Sequence, residues 1–292
     1  MNIIVERSSS IYEKRMREWV DIALEEGCRF FITALGNPKW VVEKVKAAGG
    51  YVYHDVTERK WALKAIEHGI DGLICVNNRA GGHAGKLSPE NLWGELHDLG
   101  LPLICAGGVG APTDFIHALE IGYDGVQLGT RFIATYECAE KDNYKQAIVK
   151  AEEKDIVLTE RVTGIPLSVI RTPYVEQIGT KVNPLSRWLL QNRWTKSWMR
   201  MWYALASGRR FKQTTLHGGS SQDYWQAGKS VAGIKSLENA GAIVKQFVEA
   251  VQEKPRIRNE IIPLTHCIFN SYLYILTFNY TLRNDHSFLR LC

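Results

Sequence analysis

Short apolar runs alternate with amphipathic stretches of helix length between residues 11 and 126. Stretches such as YEKRMREWVDIALEEG and ERKWALKAIEHG have helical periodicity, and each ends on a glycine that suits a left-handed C-cap. The pattern predicts parallel strands joined by crossover helices. The six predicted strands are NIIV from Asn2, RFFITAL from Arg29, YVYHDV from Tyr51, GLICVN from Gly72, PLICAG from Pro102 and GVQLGT from Gly125.

The spacing of these strands, about 20 to 30 residues, favours a (β/α) barrel of TIM type over a dinucleotide-binding sheet, because no GxGxxG fingerprint is present. A closed barrel of this type has eight strands, so six predict an incomplete barrel. We expect the partial barrel over residues 1–141, a helical segment or cap over 142–255, and an atypical apolar tail over 256–292. The tail is rich in residues that suit strands. Coverage of the open barrel edge by this tail is the less favoured alternative.

The middle segment contains SRWLLQNRWTKSWMRMWYALASGRRFK, in which tryptophans and basic residues alternate. A membrane-surface helix or a nucleic-acid groove would have this composition. The nearly helical spacing of the tryptophans is explained more simply by a helix that packs its aromatic side against the barrel.

Composition directs attention to small molecules. The 36 basic and 31 acidic side chains give a net charge of +5, which indicates no nucleic-acid partner. The run from Ile261 to Phe278 contains too many polar residues to predict a membrane span. Six cysteines without a CxxC pair indicate reduced thiols and no metal site. Without a signal-peptide pattern at the N-terminus, the expected location is the cytoplasm.

Three glycine-bearing loops follow the last three predicted strands: AGGHAG from Ala80, AGGVGAP from Ala106 and LGTRF from Leu128. In a barrel these strand ends share the face that carries the active site, and the last two loops lie where such barrels commonly bind phosphate. His83 is either a reactive group beside a ligand or an ordinary loop residue, and its place among the loops favours the first reading. Arg131 either contacts phosphate or pairs with a carboxylate, and we favour the pairing.

The segments NNRAGGHAG, PLICAGGVGAPTDFIHALEIGYDGVQLGTRFIATYEC and YKQAI resemble the nitronate monooxygenase family, formerly called 2-nitropropane dioxygenases, over roughly residues 2–250. The resemblance implies an FMN-dependent TIM barrel. It implies an oxidative denitrification of alkyl nitronates, with O2, to carbonyl compounds and nitrite. The alternatives are an NAD(P)H-dependent flavin reductase acting on a quinone or enoyl thioester, and a non-catalytic truncated remnant.

The same resemblance implies individual roles. His83 matches the family's active-site histidine, which acts as a base or binds an anion. The glycines beside it let the backbone pass close to the flavin, and the later loops match the FMN phosphate site. The residues that match flavin-binding positions are Asn2, Gly81, Gly82, Gly107, Gly108, Gly129 and Thr130.

Several positions depart from the family pattern and suggest a distinct subgroup. Asn77-Asn78-Arg79 stands where a Gly-x-Glu is common, Asp55 replaces a frequent lysine, and Lys229 follows Gly228 in the late glycine segment. Family members begin with two further strands that carry a flavin-contacting loop. We therefore expect this chain to lack them, with its tail having no counterpart in the family.

Overall fold

A computed structural model describes residues 1–5, 10–161, 166–181, 188, 192, 195 and 224–254, together with the backbone of two strands at 266–270 and 273–277. The first part of the chain alternates strands and helices. Its elements are β1 (Asn2–Ile4), α1 (Ser10–Glu25), β2 (Phe30–Ala34), α2 (Lys39–Ala47), β3 (Tyr51–Val56), α3 (Arg59–Ile66), β4 (Gly72–Val76), α4 (Pro89–Leu96), β5 (Leu103–Ala106), α5 (Pro112–Ile121) and β6 (Gly125–Leu128).

The six strands pair in chain order and all five pairings are parallel. In the register, Asp55 on β3 lies opposite Ile74 on β4, and Ala106 on β5 lies opposite Gln127 on β6. This half-barrel confirms the α/β fold class expected from the sequence. It also brings the carboxyl ends of all six strands to one side of the sheet.

Two glycines end their helical segments with the backbone geometry that the sequence predicted. Gly27 after α1 has φ +88°, and Gly69 after α3 has φ +79°. A side chain in this left-handed region is strained, whereas glycine enters it freely. These turns fix where the chain leaves each helix and enters the next strand.

The sheet has two different faces. The face toward the helices belongs to the main core, which includes Ile3, Phe31, Val52 and Leu73. The opposite face, inside the curve of the half-barrel, is packed by a second cluster. Its buried members are Phe30, Ile32, Ile74, Ile104 and Ala106. Side chains of one strand alternate between these faces, so the sequence pattern decides which residues point inside.

The region after β6 contains α6 (Thr130–Ile133), α7 (Asp142–Lys150), β7 (Ile156–Thr159), β8 (Leu167–Ile170), α8 (Pro173–Ile178) and α9 (Ala240–Gln252). Strands β7 and β8 form an antiparallel pair that the sequence analysis did not predict. Helix α9 packs on α5, where the rings of Phe247 and Phe115 lie 5.6 Å apart.

Most of the tryptophan-rich stretch lies outside the described residues. The division of the chain at residues 141 and 255 stays a prediction.

Two tail strands, β9 (His266–Asn270) and β10 (Leu273–Thr277), extend the sheet. β10 pairs antiparallel with β6, and β9 pairs antiparallel with β10. The structure thus adopts the arrangement that we had considered less favourable, because β-branched and aromatic tail residues supply a partner for the free edge of β6. Among the helices in the described part of the chain, none has both the length and the apolarity needed to cross a membrane.

Candidate functional site

A cavity of about 1500 Å³ lies at the carboxyl ends of the parallel strands. Its lining includes all eight site residues expected from the sequence, namely Asn2, Gly81, Gly82, His83, Gly107, Gly108, Gly129 and Thr130. The fold therefore brings together residues that are up to 128 positions apart, from Asn2 to Thr130. Their individual roles stay predictions. We call the five glycines of this set, which follow β4, β5 and β6, the glycine wall.

Gly107 occupies the tightest point of the glycine wall. Its φ is +117°, and a Cβ atom there would lie 2.5 Å from the Ala80 nitrogen and 2.6 Å from Oδ1 of Asn77. No other residue fits this position without moving the neighbouring loop. Gly107 is therefore required by the fold itself, before any ligand is considered.

Gly129 presents the opposite situation. Its φ is not in the left-handed region, and a Cβ atom there would meet no atom of the described residues within 4 Å. A side chain could occupy this position as far as the protein is concerned. Because Gly129 also lines the cavity, its missing side chain leaves room next to whatever the cavity binds.

Asn77 joins two loops of the glycine wall, and the sequence analysis noted it only as part of a departure from the family pattern. Its side chain is fully buried. The amide Nδ2 donates to the Gly107 carbonyl oxygen over 3.0 Å, and Oδ1 accepts from the Arg79 nitrogen over 2.8 Å. A buried asparagine directly after a strand, at the start of a glycine loop, was the available signal for this role.

The His83 loop is held by the strand pair β7–β8. The Ser168 nitrogen donates to the Gly82 oxygen over 2.7 Å, and the Gly82 nitrogen donates to the Ser168 oxygen over 3.3 Å. His83 follows directly, exposed and lining the cavity. This bridge fixes the backbone of Gly82, the residue directly before His83.

Two of the departures from the family pattern meet at one carboxylate. Arg79 binds Glu153 with both terminal nitrogens, over 3.1 and 2.9 Å, and the Lys229 ammonium lies 3.2 Å from the same carboxylate. These cations hold the pKa of Glu153 below its usual range, the hydrogen bond from Arg79 being the largest cause. The backbone adds a further link, since the Lys229 nitrogen donates to the Arg79 oxygen over 2.9 Å. The network fastens the late glycine segment against the His83 loop.

Arg131 is nearly fully buried and pairs with Glu238. Its Nη1 also donates to the Ser236 oxygen over 3.3 Å. This confirms the carboxylate pairing that we favoured from the sequence.

At α5, the carboxylate of Asp114 accepts from the nitrogens of Gly110 and Ala111, both over 2.9 Å. The two amides that directly precede α5 are thus occupied by a side chain of the helix.

His54 lines the cavity as a neutral imidazole, a residue to which we had assigned no function. The Thr33 hydroxyl donates its one hydrogen to the Tyr53 carbonyl oxygen over 3.2 Å. Because that hydrogen is used, the hydroxyl oxygen accepts from Nδ1 of His54 over 2.8 Å. Burial, with a smaller effect of His68, lowers the pKa of His54 to about 4. At neutral pH this side chain carries no charge and offers no proton from an imidazolium.

Asp55 and Gln127 also line the cavity, and the sequence analysis assigned no site role to either. Burial raises the pKa of the Asp55 carboxyl to about 7. Its Oδ1 and the Oε1 of Gln127 are buried and accept no hydrogen bond within the described structure. The alternation of YVYHDV, which puts Asp55 on the same side as Tyr53, was a signal for an inward-facing carboxyl.

Comparison with known proteins supports the family suggested by the motifs. The family model described as nitronate monooxygenase matches residues 3–249. A 5-hydroxy-7a-methyl-1-oxo-octahydro-1H-indene-4-carboxyl-CoA dehydrogenase of Mycobacterium tuberculosis is 32% identical over 163 residues, which are 54% of this chain and 46% of that protein. A probable nitronate monooxygenase of Staphylococcus saprophyticus is 25% identical over 198 residues, 63% of this chain and 56% of the relative. The chain therefore spans about half the length of these curated relatives.

Solved structures agree on the fold. FabK from Thermotoga maritima superposes with a TM-score of 0.70 at 24% identity, covering 89% of this chain and 78% of FabK. Nitroalkane oxidase from Streptomyces ansochromogenes superposes with a TM-score of 0.63 at 19% identity, covering 85% and 70% of the two chains. At these identities the likeness concerns the fold alone.

Proposed function

Because the chain belongs to the nitronate monooxygenase family, we propose that it is an FMN-dependent oxidoreductase that converts alkyl nitronates, with O2, to carbonyl compounds and nitrite. The observation that carries this proposal is the arrangement of the glycine wall and His83 around one cavity. The identity of the cofactor as FMN, the nitronate substrate and the activity of this exact chain all belong to the proposal.

The residues present fit a flavin. Gly129 leaves space in which a Cβ atom would meet no atom of the part of the chain that the structure describes within 4 Å, as expected where a ligand approaches the backbone closely. The interior of the half-barrel is apolar apart from a few polar atoms, which suits a planar ring system. We assign the FMN phosphate to Gly107, Gly108, Gly129 and Thr130, and the ring to the side of the cavity lined by Asn2, Gly81 and Gly82.

When bound, the flavin supplies the electron transfer that the side chains of this protein lack. His83 contributes the proton chemistry or the charge. The imidazole would remove the α proton of a neutral nitroalkane when it is neutral, and would hold the anionic nitronate when it is charged. The Gly82–Ser168 bridge fixes the backbone directly before His83, and the apolar interior would pack against the ring.

The proposal is tested on the purified full chain. We expect it to show the visible absorption bands of oxidised flavin, to release FMN rather than FAD on denaturation, and to form nitrite from a preformed alkyl nitronate under air. A protein that stays colourless after incubation with excess FMN would contradict the proposal and would favour a non-catalytic remnant.

The second candidate is an NAD(P)H-dependent flavin reductase that acts on a quinone or an enoyl thioester. It is favoured by the CoA-thioester dehydrogenase from Mycobacterium tuberculosis among the relatives. Anaerobic mixing separates the two candidates, since NADH or NADPH should bleach the flavin rapidly in a reductase and leave it oxidised in a monooxygenase that is reduced by nitronate.

The cytoplasmic location stays part of the proposal, and cell fractionation tests it.

A further inference from the structure

The interior face of the half-barrel carries two polar atoms that nothing in the described structure satisfies. Asp55 is the penultimate residue of β3 and Gln127 is the penultimate residue of β6, so both lie at the carboxyl ends of their strands. Gln127 is paired in register with Ala106, a member of the interior cluster. Asp55 follows Tyr51 and Tyr53 on the same side of β3, and both tyrosines pack on that cluster. We call Asp55 and Gln127 the interior acceptors.

Each interior acceptor lowers the stability of the folded protein, and a ligand that donates a hydrogen bond to it would remove this cost. A buried acceptor without a donor destabilises a protein by about 1–3 kcal/mol, and more when it is charged. Native structures retain such groups where they have a task or meet a water or ligand. Both residues line the cavity, so a ligand bound on the sheet side of the cavity would meet them.

From this placement we propose that Asp55 takes up a proton when the flavin bound in the cavity is reduced, and thereby sets how the flavin potential depends on pH. The inference rests on the proposed flavin function. Two-electron reduction with one proton leaves the ring with one additional negative charge. If the Asp55 carboxylate binds a second proton and becomes a carboxylic acid, two electrons and two protons enter together and the buried charge is unchanged. The substrate supplies the electrons, and solvent supplies the protons.

The neighbours of Asp55 on the sheet do not provide a competing charge. Burial keeps Tyr53 and Cys75 protonated by raising the pKa of each, and it keeps His54 neutral. Among the described residues, the other titratable groups that line the cavity are Tyr12, Lys64, His68, His83, Glu140, Lys141, Tyr144 and Tyr224. In the protein without flavin, burial raises the pKa of Asp55 to about 7, and the negative charge of a reduced flavin would raise it further. Proton uptake by Asp55 therefore operates above about pH 7.

The test compares the flavin potentials of the wild-type chain and of Asp55→Asn, both loaded with FMN and reduced anaerobically with dithionite beside a reference dye. Below about pH 6 the two potentials should run in parallel, because Asp55 is protonated in both redox states. Above about pH 7 the wild type should take up one more proton per two electrons than Asp55→Asn does. Its potential should therefore fall more steeply with pH, by about 30 mV more per pH unit, because a tenfold change shifts a two-electron couple by this amount.

Asp124→Asn is the matched control, because Asp124 is a second carboxyl whose pKa burial raises, at the opposite end of β6, where it accepts from the Leu103 nitrogen over 2.8 Å. The flavin potential of Asp124→Asn should equal that of the wild type at every pH. Equal slopes for the wild type and Asp55→Asn would overturn the inference and leave the flavin function intact. Loss of flavin from a folded Asp55→Asn would also overturn it, by making Asp55 a binding residue. A wild-type chain that binds no flavin would overturn both proposals.

Discussion

The glycine wall and the interior acceptors border the same cavity, but they are built in different ways. The wall consists of backbone. At Gly107 a Cβ atom would collide with the neighbouring loop, whereas at Gly129 it would meet no atom of the described residues within 4 Å. The acceptors are side chains on regular strands, placed inside by alternation and register. Loops of the first kind are visible in a sequence as clustered glycines. Side chains of the second kind become visible only when the inward face of each strand is known.

The largest expected effect concerns His83, the titratable side chain carried by the loops of the glycine wall. In His83→Asn, turnover of a neutral nitroalkane should fall by about 10²–10⁴-fold because general-base catalysis is lost. Turnover of a preformed nitronate should fall much less. Steady-state rates on the two substrates measure this difference, and His117→Asn, at an exposed position on α5, is the control. Equal losses on both substrates would assign His83 to anion binding instead.

The interior acceptors should reveal themselves in the pH dependence of stability without flavin. Asp55 has a pKa near 7 in the folded protein and near 4 in the unfolded chain, so folding is favoured by protonation. The contribution of Asp55 to the free energy of unfolding should be largest below about pH 4 and should be lost as the pH rises through 7. The difference reaches up to about 4 kcal/mol at about 1.4 kcal/mol per pKa unit.

Urea denaturation of flavin-free wild type and Asp55→Asn measures this effect. The advantage of the variant should grow between about pH 4 and 8 and then level off. A constant difference across this range would mean that Asp55 is solvated or paired in the folded protein.

Asn77 connects the two regions of the comparison, because it is a buried side chain that holds the glycine wall together. Asn77→Ala should lower the free energy of unfolding by about 1–3 kcal/mol, since the hydrogen bonds to Gly107 and Arg79 are lost. It should also weaken flavin binding. Asn78→Ala, at the exposed neighbouring position, should do neither. Chemical denaturation and FMN titration provide the two values, and an unchanged stability of Asn77→Ala would show that the loops hold their shape without it.

Much of the fold could be predicted because the signals were local. Apolar runs marked all six parallel strands, and Gly27 and Gly69 marked helix ends. The loop glycines and His83 line one cavity, as expected from glycine clusters that follow successive strands, while their individual roles stay predictions. The β7–β8 pair was missed, since its short strands are stabilised by contacts with a loop more than 80 residues earlier in the chain. Asp55 and Gln127 were missed for a similar reason, because their burial depends on the curvature and register of the whole sheet.

FMN affinity at Gly129 tests the central claim most directly, because this position separates the need of a ligand from the need of the fold. Gly129→Ala adds one methyl group that meets no atom of the described residues within 4 Å. Gly94→Ala makes the same change at a position on α4 that is equally open among these residues and does not line the cavity. We predict that both variants fold like the wild type. We also predict that Gly129→Ala raises the dissociation constant of FMN by about tenfold or more, equivalent to about 1.4 kcal/mol, while Gly94→Ala leaves it unchanged. Equal FMN affinity in the two variants would contradict the assignment of the glycine wall as the cofactor site.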